Sequence, residues 1–438
     1  MLSDCTLFQT QEFKKKLNQC IHCGLCLQAC PTYSVFGTEM DSPRGRITMI
    51  RAASSGHIAP EQFDGALSHH LALCLTCRAC ETVCPSGVQY NALVEPMREM
   101  IEHFYKPRPI ERLARWLAFR QMMPYLGRLK FTARLLWLYE VIGLQRLVRH
   151  VGILPKPLKT MEAILPPIIP KYRDYHSPAP AMGKKRGQVA LFVGCIQEAF
   201  LAPVNEATIR VLQRNGYEVH FPFEQTCCGA AQIHTGEKDL GCDLARRNID
   251  AFLSQEYDAI ISNAGGCGAT LKFDYPELLM HDHVYAEKAN QFSAKVQDIS
   301  EFLIDHLNVP PQGFIHLRAV YSDSCHLRHV QKIFRQPREL LKQIPGLELV
   351  ELKQPDHCCG SAGVYNIIQS DTANSILDLK IADIAATQAE IIVISNTGCH
   401  MQLISGVRHA GLNMQVMHIV QVLDLSYHLT SNLEPPAE

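Results

Sequence analysis

Hydrophobic and polar positions divide the chain into stretches of unlike period. In the C-terminal half, short apolar runs at Val189–Val193, Ala259–Ile261, Leu347–Val350 and Ile391–Ile394 read as buried strands, with helical patterns between them. Nearer the N-terminus, Arg46–Arg51 and the stretch from Gln62 to Leu73 carry helix-compatible spacing. From Tyr105 to His150 the character changes. Trp116, Phe119, Tyr125, Phe131, Trp137 and Tyr139 interleave with Arg112, Arg115, Arg120, Arg128, Lys130, Arg134, Arg146 and Arg149, and the only acids between Lys106 and Arg149 are Glu111 and Glu140. Two readings fit this stretch: a basic amphipathic helical segment lying against anionic lipid or an acidic partner, or a helical connector with solvated arginines. Seven prolines from Pro155 to Pro180 follow, a density that predicts an extended connector wrapping another domain. No apolar run is long enough for a transmembrane helix.

The cysteines add chemistry to this outline. Cys20-x-x-Cys23-x-x-Cys26-x-x-x-Cys30-Pro31 recurs as Cys74-x-x-Cys77-x-x-Cys80-x-x-x-Cys84-Pro85. This is the bacterial ferredoxin run, in which three cysteines hold one [4Fe–4S] cluster and the fourth reaches across to the other. Cys20, Cys23, Cys26 and Cys84 are therefore expected to share one cluster, and Cys74, Cys77, Cys80 and Cys30 the second. A zinc pair would leave the third and fourth cysteines of each run, and the proline, unexplained. The 43 residues between Cys30 and Cys74 exceed what a compact two-cluster ferredoxin needs, so a helical domain is expected.

A second duplication fills the C-terminal half. Cys195, Cys227-Cys228-Gly229 and Cys267 recur as Cys325, Cys358-Cys359-Gly360 and Cys399, at offsets of 130, 131, 131 and 132 residues. Each repeat reads as a small α/β unit with its cysteines at strand ends or helix starts, where ligands lie in open α/β sheets. An iron–sulfur cluster, a zinc ion and vestigial thiols all remain open for these sites. His326 and His400 each follow a repeat cysteine and suit a role behind a ligand; Cys5 and Cys242 fall outside every pattern.

The 438 residues suffice for two or three domains, and the net charge of −1 argues against a nucleic-acid partner. The fold class expected is α+β multidomain: an α-helical two-cluster ferredoxin domain over 1–104, a basic helical segment and proline-rich linker over 105–187, and α/β repeats over 188–312 and 313–438. Met1–Lys16 lacks the apolar core of a signal peptide, so reduced thiolates in the cytoplasm are expected, with attachment to the inner face of the cell membrane as an option. No P-loop, G-x-S-x-G or H-E-x-x-H motif occurs, and Leu271 stands where a dinucleotide loop after Gly266 would need its third glycine. With electron carriers but no flavin or nicotinamide site on this chain, the two-electron donor is expected on another polypeptide.

The C-terminal duplication resembles the cysteine-rich CCG domain of the heterodisulfide-reductase type, and the whole chain resembles the iron–sulfur subunit of glycolate oxidase (glycolate dehydrogenase). The resemblance rests on His22-Cys23-Gly24-Leu25-Cys26, Asp41-Ser42-Pro43-Arg44-Gly45-Arg46, Cys74-Leu75-Thr76-Cys77-Arg78-Ala79-Cys80-Glu81 and Cys358-Cys359-Gly360-Ser361-Ala362-Gly363. It implies a subunit of an oxidoreductase complex. FAD-binding glycolate oxidase subunits would oxidise glycolate to glyoxylate, and this chain would pass electrons toward membrane quinone. Related lactate or glycerol-3-phosphate complexes, or a heterodisulfide-reductase-like catalytic subunit, are the alternatives. One departure stands out. The last C-x-x-C of the heterodisulfide-reductase motif is here Cys267-Gly268-Ala269-Thr270 and Cys399-His400-Met401-Gln402, which puts a five-thiolate cluster in doubt in both repeats.

Overall fold

The computed structural model describes residues 10–105, 107–152 and 154–431; Cys5 lies outside them. The N-terminal unit is helical. Helices Gln11–Asn18, Pro43–Ser54, Ala66–Ala72 and Asn91–Phe104 close over one core in which Phe13, Leu17, Ile50, Leu67, Leu93 and Met97 are buried. The segment Ser42-Pro43-Arg44-Gly45-Arg46 starts the second of these helices, and each residue has a distinct task. Ser42 caps it by accepting from the Gly45 backbone N–H at 3.1 Å, and Pro43 occupies a first-turn position whose N–H has no helical partner. Gly45 lets the helix cross the preceding turn, because a Cβ there would stand 1.9 Å from the Glu39 carbonyl oxygen. Arg44 and Arg46 then leave the helix toward opposite sulfur-lined crevices.

The C-terminal half contains two four-stranded parallel sheets. The first has strands β1 (Gly187–Phe192), β2 (Tyr217–His220), β3 (Ala259–Ser262) and β4 (Val296–Asp298) in the order 2-1-3-4. The second has β5 (Arg318–Tyr321), β6 (Glu348–Val350), β7 (Ile391–Ile394) and β8 (Gln415–His418) in the order 6-5-7-8. In each, the first strand is central: Val189 pairs with Val219 on one side and Ala259 on the other, as Ala319 pairs with Leu349 and Ile391. The chain therefore leaves the central strand in one direction and returns on the other side. That reversal opens a crevice beyond the carboxyl ends of β1 and β3, and of β5 and β7. One continuous core includes Val189, Leu191, Ala259, Ala319, Ile391 and Val393, so the two sheets are packed into a single body. Arg210 clasps Asp424 across it, with contacts down to 2.6 Å.

The intervening segment forms helices at Pro109–Arg115, continued by a π-helical turn Trp116–Met122, and at Leu126–Val141 and Leu144–Val151. The proline-rich stretch differs from the expectation of a wholly extended connector. Pro155 and Pro157 lie at the N-cap and first turn of a helix, Lys156–Ile164, positions where the missing N–H costs nothing. Only beyond it does the chain run extended along the first repeat, with Tyr172 Oη donating to the Ala199 carbonyl at 3.0 Å and Ala179 pairing with Val219. The helical segment has two faces. Phe119, Leu129 and Ala133 are buried against the first repeat, whereas Ile110, Leu113, Phe131, Leu135 and Leu147 are exposed. No helix among the described residues is long and apolar enough to cross a membrane.

The crossing at Gly45 predicts that Gly45→Ala destabilises the protein by about 1–3 kcal/mol, the usual cost of forcing atoms into a close-packed site. Thermal denaturation of anaerobically purified protein measures it, and an unchanged melting temperature would count against the close approach.

Candidate metal centres

The two ferredoxin-type runs fold alike. His22 and Thr76, at matching positions, have φ of 58° and 50°, and Gly24 and Arg78 have φ of 85° and 61°. Left-handed residues bend each loop so that sulfurs at every third position turn inward. For the non-glycine residues this costs on the order of 1–2 kcal/mol each, so the surroundings must hold them. Arg78 is held by Glu81 at 2.9 Å, and Arg44 donates to the His22 carbonyl at 3.2 Å.

Two crevices result. Cys74, Cys77 and Cys80 line one, and Cys30 from the first run lines it with them. Cys20, Cys23 and Cys26 line the other together with Cys84, and Cys80 stands on the wall shared by both. The first crevice is buried; in the second, Cys23 is exposed and Cys20, Cys26 and Cys84 are half-buried. Burial pushes the thiols of Cys77 and Cys80 well up, and that of Cys26 up to about 11. The surrounding groups favour negative sulfur. Backbone N–H groups of Thr76 and Val88 donate to Cys74 Sγ and Cys84 Sγ, both at 3.4 Å. Arg46, one per cent exposed, sends Nη1 to within 4.0 Å of Cys30 Sγ, and is fixed by the His70 carbonyl at 2.7 Å and Thr32 Oγ1 at 3.1 Å.

In the repeats the sulfurs gather at the sheet crevices. Cys195 follows β1 and Cys267 follows β3, while Cys227 and Cys228 arrive on the loop after β2; Cys325, Cys399, Cys358 and Cys359 stand at the matching places around β5, β7 and β6. Cys195 Sγ and Cys227 Sγ are 3.6 Å apart. Gly229 and Gly360 carry φ of 85° and 83°, and their N–H groups donate to Cys227 Sγ at 3.5 Å and Cys358 Sγ at 3.4 Å. The Cys195 thiol donating to Cys227, helped by Cys228, pulls Cys227 well below the usual thiol range; Cys325 and Cys359 do the same for Cys358. Lys380, buried at one per cent exposure, donates to the Gln354 and Pro355 carbonyls at 3.1 and 2.9 Å, on the loop leading into Cys358–Cys359.

These donor sets fit clusters. Every described cysteine is a free thiol. In the dicluster crevices the four sulfurs come from two facing runs, and in the repeats Cys195 and Cys227 approach to 3.6 Å. Among the described residues no group of three or more His, Cys, Asp or Glu converges closely enough for one ion. The positions of the missing fifth thiolates carry Thr270, whose Oγ1 donates to Asp274 at 2.8 Å, and Gln402, whose Oε1 accepts from Asn366 at 2.8 Å. Both side chains are committed elsewhere. His326 and His400 bond the Thr76 and Val416 carbonyls, each at 3.1 Å, and burial takes both imidazoles down to about 4, so they stand behind the sulfurs as neutral groups. Cys242 is half-buried on the helix Lys238–Phe252, packed on the same core cluster as Cys228 and Cys267, with its thiol toward the Leu278 carbonyl at 4.0 Å.

Sequence reasoning did not single out Arg46, Lys380 or Asn396 as site residues. Arg46 had a signal, its place in the Pro-Arg-Gly-Arg segment. Asn396 had one too, in the repeated Ile-Ser-Asn that precedes each last cysteine. Lys380 had none.

Comparison with known proteins agrees with this layout. Residues 16–88 match the 4Fe-4S dicluster domain, residues 189–272 and 319–404 match the cysteine-rich domain, and residues 110–165 match the linker region of the glycolate oxidase iron-sulfur subunit. The chain is 41% identical to the probable glycolate oxidase iron-sulfur subunit of Bacillus subtilis (strain 168), over 96% of this chain and 97% of that one. It is 33% identical to the glycolate oxidase iron-sulfur subunit of Escherichia coli (strain K12), covering 93% of each. Lactate utilization protein A of Bacillus velezensis is 33% identical over 54% of this chain. A hypothetical protein from Helicobacter pylori of known structure shares the fold at 8% identity, with a TM-score of 0.52 over 96% of this chain. This chain thus belongs to the family of glycolate oxidase iron–sulfur subunits, as an electron-transfer protein with a dicluster domain and a repeated cysteine-rich domain.

Proposed function

We propose that this chain serves a flavin-dependent, glycolate-oxidising complex and connects FAD on partner subunits with membrane quinone. One [4Fe–4S] cluster is assigned to Cys20, Cys23, Cys26 and Cys84 and a second to Cys30, Cys74, Cys77 and Cys80. Further iron–sulfur centres are assigned to Cys195, Cys227, Cys228 and Cys267, and to Cys325, Cys358, Cys359 and Cys399. The observation that supports this most is the pair of crevices sharing the Cys80 wall, one open to solvent and one buried.

Bound there, the clusters supply one-electron carriers between two-electron partners. On the flavoprotein, glycolate gives up two electrons and two protons and leaves as glyoxylate; quinone takes two electrons and two protons to become quinol. The chain's own residues set the terms. Cys23 opens to solvent beside Ile21 and Leu25, 68% and 57% exposed, which favours the flavoprotein docking there. Arg46 steadies negative charge in the buried crevice. Glycolate is favoured over lactate because the full-length likeness is to glycolate oxidase subunits, whereas the lactate-named relative matches 54% of the chain.

The outer face of residues 109–151 is assigned to the cell membrane's inner surface. Ile110, Leu113, Leu117, Phe131, Leu135 and Leu147 are exposed there among Arg112, Arg120 and Arg146, a combination that suits an anionic lipid interface. Arg115 is not part of that face: it is drawn inward to Glu102 at 2.6 Å and Glu237 at 3.3 Å.

Anaerobically purified protein should contain about 8 irons per chain from the two crossed sites, and about 12 or 16 with one or both repeats loaded, at four per cluster. Near-zero iron with stoichiometric zinc would end the proposal. Glycolate should bleach the visible absorption only after FAD-binding subunits are added. Removing the guanidinium in Arg46→Met should lower the potential of the Cys30-side cluster and leave the Cys23-side cluster unchanged in a potentiometric EPR titration. Arg112→Glu, Arg120→Glu and Arg146→Glu together should abolish co-flotation with phosphatidylglycerol-rich vesicles; unchanged flotation would reject the membrane face.

A further inference from the structure

The two repeats carry the same sulfurs in the same crevices, yet they meet the rest of the molecule differently. The second repeat meets the loop 73–82 that carries Cys74, Cys77 and Cys80. Tyr365 Oη donates to the Leu73 carbonyl at 3.1 Å, His326 bonds the Thr76 carbonyl at 3.1 Å, and His329 bonds Thr82 Oγ1 at 3.0 Å. Cys77 and Cys358 fall in one buried apolar cluster with Leu75 and Ala79, with Cys325 packed against it. The first repeat packs its cysteine loop on the helical segment, and it reaches the dicluster unit through His234, bonded to Glu95 at 3.0 Å and, by its carbonyl, to Arg98 at 3.1 Å. Cys227 packs with Phe119, Thr226 Oγ1 donates to the Pro124 carbonyl at 2.7 Å, and Gln232 reaches the Phe119 carbonyl at 3.4 Å.

Among the several contacts that join the repeats, which include Thr397 donating to Gln197 at 2.7 Å and His418 bonding the Asn263 carbonyl at 2.8 Å, one side chain ties a sulfur of one repeat to the cysteine loop of the other. Asn396 Nδ2 donates to Cys399 Sγ at 3.3 Å, and its Oδ1 accepts from the backbone N–H of Gly266 at 2.8 Å, the residue before Cys267. Asn263 occupies the matching place in the first repeat, in the shared Ile-Ser-Asn segment, and makes no such bridge. It is spent on Asn205, Thr208 and Gln197, at 2.9, 2.8 and 2.5 Å. Of the two matching asparagines, only Asn396 thus carries a side-chain link from a repeat sulfur to the other repeat.

We propose that the second repeat is the junction of an ordered chain: Cys77 against Cys358 links its thiolate site to the buried dicluster site, and Asn396 links it onward to the thiolate site of the first repeat. The inference rests on the reading above, in which the repeat sites hold iron–sulfur centres. With clusters bound, Cys30, Cys74, Cys77 and Cys80 would hold the donor centre and Cys325, Cys358, Cys359 and Cys399 the acceptor, one electron passing between them and onward to the site of Cys267. No bond is made or broken and no proton moves. Asn396 is a positioning residue whose N–H, directed at Cys399 sulfur, favours the more negative reduced state.

The test uses the full chain, assembled anaerobically, with iron counted before spectroscopy. In the wild type, the EPR signal of the Cys30-side cluster should show enhanced spin relaxation when the second-repeat centre is paramagnetic. That enhancement should be lost in Cys358→Ser and in Cys399→Ser, two variants emptying the same site from different loops, and kept in Cys227→Ser. Asn396→Leu should move the second-repeat redox equilibrium about tenfold toward the oxidised form, ~59 mV for one electron, with the dicluster potentials unchanged. Enhancement lost in Cys227→Ser but kept in the second-repeat variants would overturn the order, as would an unshifted potential in Asn396→Leu. An iron count near 8 would instead remove the repeat centres themselves, a failure of the underlying reading that is visible before any coupling is measured.

Discussion

Negative sulfur taken out of water is costly unless the protein supplies opposing charge or N–H donors, and this constraint organises the molecule. The supply is graded by depth. Near the surface, around Cys23, water remains available and Arg44 is turned toward Glu39 at 2.6 Å. In the buried crevice a guanidinium is buried with the sulfurs: Arg46 lies between Cys30, Thr32 and Asp41. A lone buried cation would be as costly as a lone buried thiolate. Asp41, 3.8 Å from Arg46 and itself bonded to His70 at 2.8 Å, keeps the region balanced when the sulfurs are protonated. The short helix start from Ser42 to Arg46 serves all of this at once. That is why it tolerates a glycine pressed against the Glu39 carbonyl.

The same constraint explains the choice of scaffold in the C-terminal half. A parallel sheet whose strand order reverses beside its central strand opens a crevice fed by two loops, and the neighbouring strand adds a third. Four sulfurs from three loops can converge there without threading through the core, because each loop is only a few residues from a buried strand such as β1 or β3. The left-handed glycines at 229 and 360 then turn N–H groups onto the first cysteine of each adjacent pair.

Much of this was legible in the sequence because it is local. Spacing within the cysteine runs carries the chemistry, and apolar runs such as Ile391–Ile394 mark buried strands without any knowledge of their neighbours. The duplication was legible because its register persists for the length of a repeat. What the sequence did not disclose depends on long-range packing. Lys380 lies on a helix whose pattern gives a lysine no reason to be buried; only the loop at Gln354 and Pro355, brought over it in the fold, makes it a donor to two carbonyls. Pro155 and Pro157 read as helix breakers, yet they begin a helix, because the same ring that ends a helix suits its first turn. The basic segment admitted two readings, and its two faces divide them: one is packed on the first repeat, the other is exposed.

The differences between the repeats matter more than their likeness. Burial along the helices Lys238–Phe252 and Ser370–Ala385 runs in step, so that Ile249 matches Ile381 and Asn248 matches Lys380. In the first repeat that position ties the loop through neutral bonds, Asn248 accepting from the Thr226 N–H and donating to the Cys227 carbonyl at 2.8 and 3.0 Å. In the second it carries the Lys380 amine, whose burial pulls it below the ordinary lysine range. At Asn263 and Asn396 the divergence is of the same kind: one side chain serves its own fold, the other crosses to its neighbour. Two copies free to drift would lose such features at random. Here the buried lysine, the crossing asparagine and the side-chain bonds to the loop 73–82 have all gathered in one copy. The other copy has been covered by the helical segment. A duplicated fold has in this way become two unlike stations, and the physical difference between them is where charge is held and which neighbour each one touches.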